Sequence, residues 1–357
     1  MNILVVTPME TFATADVGVG FADGFTKLGH NTHIFRSGEQ FLARRTLIDS
    51  FVKGRHMEID LPTIELAMEG FFDMVVMNDI EMVFVIRGLI PPPIYLDKLR
   101  KLGIKTVLYN TEDPYDYSMT KDIVKNYDLV LSNDLIGPEL YPNCKWVPVG
   151  VNNSIYSYNS SVIKSYDLSF IGTFFKTRVQ LFEECLPLFK TLNTYFAGHW
   201  VGANDMNETD DVFGEQFGSH WDSPVREMVG NRINKTTYPE SVNIILNHSK
   251  ITPNPHRDKE WLGNSTYEAN NFSPRVFEAA ACGCFQLVSN NRRKVIRHFF
   301  EEDEIVLYDS PQNFIEQVKY FLGHPDEREK IAHKVMEKVL QEHTYVHRAS
   351  QVLEFIK

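Results

Sequence analysis

The residues able to do chemistry in this chain gather in a few short segments. The densest is Ser273-Pro274-Arg275-Val276-Phe277-Glu278-Ala279-Ala280-Ala281-Cys282-Gly283. Proline at its start, alanines along one face and glycine at its end spell a short helix. Glu278, one turn in, can accept both hydroxyls of a ribose, while Arg275 and the preceding Ser273 can face phosphates; a buried Arg275–Glu278 ion pair is the structural alternative. Just upstream, Ile251 to Arg257 adds Asn254 and Arg257. The run Phe170-Ile171-Gly172-Thr173-Phe174-Phe175-Lys176-Thr177-Arg178 ends a strand at Gly172. It supplies two cations near a helix start, where Arg178 either grips a diphosphate bidentately or lies exposed in a first turn.

The first half of the chain offers carboxylates and glycines instead. Glu112 and Asp113 follow the strand-like Thr106 to Tyr109, a position from which they can activate an acceptor hydroxyl or bind a sugar. Asp-Pro is equally a helix start. Gly18 and Gly20, between the first strand and the first helical pattern, can open backbone N–H groups to an anion. Their spacing misses the dinucleotide fingerprint, because Asp23 stands where a third small residue is expected, and this disfavours a nicotinamide-dependent dehydrogenase.

These segments need a scaffold that brings strand ends together, and the apolar pattern supplies one. Asn2 to Thr7, the helical pattern Phe21, Phe25, Leu28 stopped by Gly29, and Asn31 to Phe35 make a βαβ opening. The alternation continues with a helix over 65–76, a strand at Met82 to Ile86, a helix at Ile94 to Leu102, and strands at 106–109, 129–132 and 146–149. A stretch rich in Asn, Ser and Tyr, residues 150–166, marks a boundary. Beyond it the series resumes with strands at 167–171, 195–198, 285–288 and 304–308, and helices at 179–192, 274–282, 311–322 and 326–341. The fold class is α/β with two Rossmann-like halves, and ligands in such sheets bind outside the carboxyl ends of the strands.

Composition agrees with a folded protein of two domains. The 357 residues are 43% hydrophobic and 23% charged, with 36 Lys+Arg against 47 Asp+Glu for a net charge of −11. Disordered and fibrous classes are excluded, and the acidity argues against general affinity for nucleic-acid backbones or anionic lipid. The basic run Arg44, Arg45, Lys53 and Arg55 is the one local exception considered for DNA. Residues 201–222, with Asp210 and Asp211, read as an exposed insertion. The most apolar region, 71–90, is interrupted by Asp73, Asn78, Asp79, Glu81 and Arg87, too often for a membrane span. No basic residue precedes the short apolar start, so a cytoplasmic location is expected. Four cysteines without metal-site spacing are expected to be reduced, buried thiols.

The run from Arg275 to Gly283 carries a family resemblance. With Glu112-Asp113-Pro114-Tyr115, Pro148-Val149-Gly150-Val151, Phe170-Ile171-Gly172 and Arg178, and His343-Thr344-Tyr345-Val346-His347-Arg348, it resembles the spore-maturation (CgeB-like) branch of nucleotide-sugar glycosyltransferases of the GT-B fold, related to glycosyltransferase family 4. The resemblance implies two Rossmann-like domains facing each other across a cleft: 1–155 on the acceptor side, 156–340 binding the nucleotide sugar, and 341–357 a helix returning towards the first domain. It implies a nucleoside diphosphate sugar as donor substrate with no cofactor, and a metal-independent, retaining transfer of a hexose or pentose. Gly18, Gly172, Arg178, Asn254, Arg257, Ser273, Arg275 and Glu278 are the candidate donor contacts, and Asp113 and Glu112 the candidate catalytic groups. The acceptor is left open among a glycan, a protein and a hydroxymethylated DNA base. Relatives carry a second glutamate eight positions before Glu278, where this chain has Asn270, and no residue matches their histidine after an N-domain strand. An epimerase or hydrolase of nucleotide sugars, or a binding protein without chemistry, are the rival readings.

Overall fold

The computed structural model describes residues 1–8, 14–41, 43, 67–88, 90–115, 117–200, 222–233, 238–257 and 267–357. The basic run Arg44, Arg45, Lys53 and Arg55, the acidic pair Asp210 and Asp211 with almost all of the expected insertion, and the first residues of the helix expected over 65–76 lie outside the described residues. The chain divides into two compact units, one formed by Met1–Gly150 with Tyr345–Lys357 and the other by Val151–Thr344.

The first unit is a six-stranded parallel sheet in the order β2-β1-β3-β4-β5-β6, with β1 Asn2–Val6, β2 Asn31–Phe35, β3 Met82–Ile86, β4 Lys105–Asn110, β5 Leu129–Ser132 and β6 Cys144–Trp146. Its central strand β3, Met-Val-Phe-Val-Ile, is apolar and buried at every position because both faces are covered. Alternate residues serve two cores. Ile3, Val5, Phe84 and Val107 pack with Phe21 and Phe25 of helix α1 (Thr14–Lys27), whereas Leu4, Val6, Val83 and Val85 pack with α2 (Phe71–Met77) and α3 (Pro93–Lys101). The expected strand over 146–149 ends earlier. Val147 N–H still donates to Ser132 O at 2.9 Å, but Pro148 has no N–H with which to continue the ladder.

The second unit is a five-stranded parallel sheet in the order β11-β10-β9-β7-β8: β7 Tyr166–Ile171, β8 Thr194–Ala197, β9 Ser249–Asn254, β10 Phe285–Ser289 and β11 Val306–Tyr308. Its helices include α4 Lys176–Phe189, α5 Pro239–Asn247, α6 Arg275–Ala281, α7 Pro311–Gly323 and α8 Pro325–Glu342. The central strand β9 carries Pro253, a residue that normally argues against a central strand. It is tolerated because the ladder to β7 ends at Ile251, short of the proline. Residues 151–165 are strapped to this unit rather than loose. Asn159 N–H donates to Asn247 Oδ1 at 2.8 Å, Asn247 Nδ2 donates to Ser157 O at 2.9 Å, and Tyr158 covers Gly283.

In each sheet the third strand of the unit is laid down on the opposite side of the first from the second. That reversal puts a crevice between β1 and β3 in one unit and between β7 and β9 in the other. Helix α9 (Tyr345–Phe355) returns to the first unit and packs on α1. A Cβ at Gly20 would collide with the Tyr345 ring, and one at Gly24 with the Tyr345 carbonyl. Arg348, buried, donates from Nε to Val149 O at 3.0 Å. All four cysteines are buried and free of disulfides. No helix among the described residues is long and apolar enough to cross a membrane.

Candidate functional site

The carboxyl ends of β9, β10 and β11 and the first turns of α4 surround a cavity of about 390 Å³ lined by Arg178, Pro255, His256, Ser289, Asn291 and Ser310 among others. Arg178 straddles the crevice between β7 and β9: its Nε donates to Pro255 O and its Nη1 to Thr173 O, both at 2.8 Å. Its guanidinium lies 5.4 Å from the centre of the Phe175 ring, and that of Arg257 lies 5.2 Å from the same ring. Two guanidiniums therefore converge beside the start of α4, a helix end that no side chain caps. Arg292, buried behind them, donates to the backbone oxygens of Arg257 and Asn291 and so fixes the loop that carries Arg257.

Gly172 lies at this crevice for a backbone reason. Its carbonyl is approached so closely by Gly198, at φ +139°, that a side chain on Gly198 could not be accommodated. Asn254 is turned inward: its Nδ2 donates to Gln286 Oε1 at 2.7 Å, and Gln286 Nε2 donates to Val276 O at 2.9 Å. Asn254, expected as a donor contact, thus belongs to a buried amide chain that ties β9 through β10 to α6.

Ser273, Arg275 and Glu278 are brought together. Arg275 N–H donates to Ser273 Oγ at 3.3 Å, and Arg275 Nη1 pairs with Glu278 Oε2 at 2.6 Å. The structural alternative, an ion pair, is thus realised. The buried Tyr156 hydroxyl also bonds Glu278. Burial pushes the Glu278 carboxyl above its ordinary range, while Arg275 and Tyr156 pull it back.

In the first unit Asp113 is 1% exposed and both of its oxygens are occupied, Oδ2 by the Ser132 hydroxyl and Oδ1 by the Tyr141 hydroxyl, each at 2.6 Å. Tyr141 shares its hydroxyl with Thr120 at 2.7 Å. Burial lifts the Asp113 carboxyl to about 7, against the pull of these hydroxyls and with a further push from Asp134. Asp113 is accordingly an interior anchor that fastens the end of β4 to β5, and the half-buried Glu112 is the carboxylate of the pair nearer the surface. Gly18 is not in a loop before the helix as expected. Helix α1 begins at Thr14, and Gly18 lies in its second turn, where a Cβ would come within 3.1 Å of Thr7 and 3.3 Å of Ile86. That glycine serves helix–sheet packing.

With this geometry in view, comparison with known proteins is informative. A family described as glycosyl transferase-like matches residues 201–354. The Spore protein CgeB of Bacillus subtilis (strain 168) is 26% identical over 257 residues, 68% of this chain and 72% of that protein. An alpha-glucosyltransferase (AGT) solved in complex with UDP has a TM-score of 0.64 at 13% identity, covering 100% of this chain and 99% of its own. Anabaena Alr3699/HepE in complex with UDP and glucose has a TM-score of 0.60 at 12% identity, with 100% and 99% covered. The chain has the GT-B fold, and its second half is similar to the glycosyl transferase-like family.

Two features of this GT-B chain escaped the sequence reading. His256 stood in a quoted run without a role, and its burial beside Ser289 and Ser273 is a product of tertiary placement. Arg292 is one of several cations in Asn290 to His298, and nothing in that run singles out the buried one.

Proposed function

We propose that the chain transfers a glycosyl unit, a hexose or pentose, from a nucleoside diphosphate sugar held by its second unit to a hydroxyl acceptor. The observation that carries this reading is the convergence of Arg178 and Arg257 on Phe175, at the crevice between β7 and β9 and beside the uncapped start of α4. Paired guanidiniums next to a helix N-terminus form a site for a diphosphate. As the bond to the anomeric carbon breaks, negative charge grows on the departing diphosphate, and fixed cations stabilise that charge more than the ground state. In this reading the leaving group is neutralised by protein side chains without a metal, and the transfer proceeds with retention. Glu278 accepts the ribose hydroxyls, with Arg275 and Ser273 at the phosphate side.

The acceptor belongs to the first unit in this reading, with Glu112 oriented by the Asp113 anchor. Glycan, protein and DNA acceptors are all kept. The related alpha-glucosyltransferase has been solved with UDP and a DNA 13-mer containing an HMU base, which makes hydroxymethylated DNA a worthwhile member of an acceptor panel. The deciding experiment incubates the protein with a set of nucleotide sugars and such a panel, followed by mass spectrometry of all products. A glycosylated acceptor is expected. Release of free sugar alone would favour a hydrolase, a changed sugar an epimerase, and no reaction with tight nucleotide binding a non-catalytic protein.

A further inference from the structure

His256 occupies the junction of three elements of the second unit, and each of its polar atoms has a partner. Its backbone N–H donates to Ser289 Oγ at 2.9 Å at the end of β10, and its Nδ1 lies 3.2 Å from the same oxygen. On the other side of the ring, Ser273 N–H donates to Nε2 at 3.3 Å. The tautomer follows from chemistry. A backbone N–H can only donate, so Nε2 carries the lone pair and the ring proton is on Nδ1, donated to Ser289 Oγ. Ser289 in turn donates its hydroxyl to Asn291 Oδ1 at 2.7 Å, so the chain of donors and acceptors is consistent throughout.

We propose that His256 is a positioning residue of the donor site: held by Ser289, its neutral imidazole fixes Ser273 at the start of α6 and through it the Arg275–Glu278 pair. This rests on the reading of α6 as a donor element. The lever is short, because the Ser273 hydroxyl receives the N–H of Arg275, whose guanidinium pairs with Glu278. The imidazolium form would set an N–H of Nε2 against the N–H of Ser273. Burial and the neighbouring cations Arg292 and Arg178 hold the ring well below its ordinary pKa, so the neutral form persists near neutral pH. The Asn254 backbone, hydrogen-bonded to the ring, acts in the opposite direction without outweighing these causes, while Ser289 and Ser273, which face the ring from β10 and from the segment before α6, carry no charge.

The experiment uses the full chain and three variants. His256→Gln can place an acceptor oxygen where Nε2 stands. His256→Asn is too short to reach Ser273 yet can keep the link to Ser289, and His256→Ala keeps neither. Hydrogen exchange of the Ser273–Glu278 amides, read without nucleotide, is expected to quicken at least tenfold in the Asn and Ala variants and to stay within about threefold of wild type in the Gln variant. UDP affinity by calorimetry should follow the same order, falling about tenfold for Asn and Ala. Nitrogen-15 NMR of the wild-type ring, which needs no variant to fold, should show the Nδ1–H tautomer from pH 6 to 8. An Nε2–H tautomer, or equal exchange in all three variants, overturns the proposal. Correct exchange behaviour with UDP affinity unmoved by any variant would instead overturn the placing of the donor on α6.

Discussion

The hydroxyl of Tyr141 lies 2.6 Å from Asp113 Oδ1 in the interior of the first unit, with the Ser132 hydroxyl at the same distance from the other oxygen. A carboxyl group so held is a fastener between strand ends, and its behaviour with pH follows. Its folded-state pKa, raised by burial to about 7, stands above the unfolded value. The protonated form is therefore the one favoured by folding: its contribution is complete below the unfolded pKa, near 4, and is lost as pH rises through about 7. Urea unfolding of wild type should show falling stability across that interval. Asp113→Asn, which cannot ionise, should flatten the dependence and cost about 1–3 kcal/mol at pH 5 through disrupted buried hydrogen bonds. Equal pH slopes in the two proteins would refute the anchor assignment.

The arginine pair on Phe175 gives a second test. Arg257→Ala should weaken nucleoside diphosphate binding by about 1.5–3 kcal/mol, the scale of hydrogen bonds to a charged group, with little loss of stability. Arg178→Lys should do comparable harm while retaining charge, since one ammonium cannot reach both Thr173 O and Pro255 O and also present a fork to phosphate. Calorimetric titration with UDP and GDP measures both; affinities equal to wild type would remove the diphosphate from this crevice.

Glu278→Ala is expected to cost a similar amount in donor binding, and Glu278→Gln less, because the amide oxygen still accepts from a ribose hydroxyl. A 2′-deoxy nucleotide should narrow the gap between wild type and the Ala variant. If it does not, Glu278 is serving Arg275 and Tyr156 alone.

Turnover should survive EDTA unchanged, as fixed guanidiniums occupy the role that a cation would otherwise fill at the leaving group. Activity abolished by chelator and restored by Mn²⁺ or Mg²⁺ would contradict this.

Gly20→Ala places a methyl group against the Tyr345 ring. Overpacking of this kind costs about 1–3 kcal/mol, so the midpoint of urea unfolding should fall while UDP affinity stays put.

Much of the architecture was legible from the residues. β3 and β5 fall where the apolar runs Met82 to Ile86 and Leu129 to Ser132 stand, because a strand buried on both faces announces itself by continuous hydrophobicity. β9 was not legible, since Lys250, Thr252 and Pro253 dilute its apolar character, and only its pairing with β10 makes it a strand. At the candidate site, the sequence pointed to Arg275 and Glu278 as a unit, and they are one. The burial of Asp113 and the place of Gly18 inside α1 were not legible, since position after or before a strand does not reveal which way a side chain faces or where a helix begins. The partners that bury Asp113, Ser132 and Tyr141, are 19 and 28 residues away.

The return of α9 has a consequence for how the protein is made. Residues 151–344 are contiguous and can close their core as soon as they leave the ribosome, whereas the first unit, begun earlier, keeps Phe21 and the glycine face of α1 uncovered until Tyr345, Ala349 and Val352 arrive. The earlier-synthesised unit is thus the later to be finished. Expressed alone as residues 1–150 it should be sticky and poorly soluble, and a circular permutant that joins 345–357 ahead of residue 1 should relieve the delay.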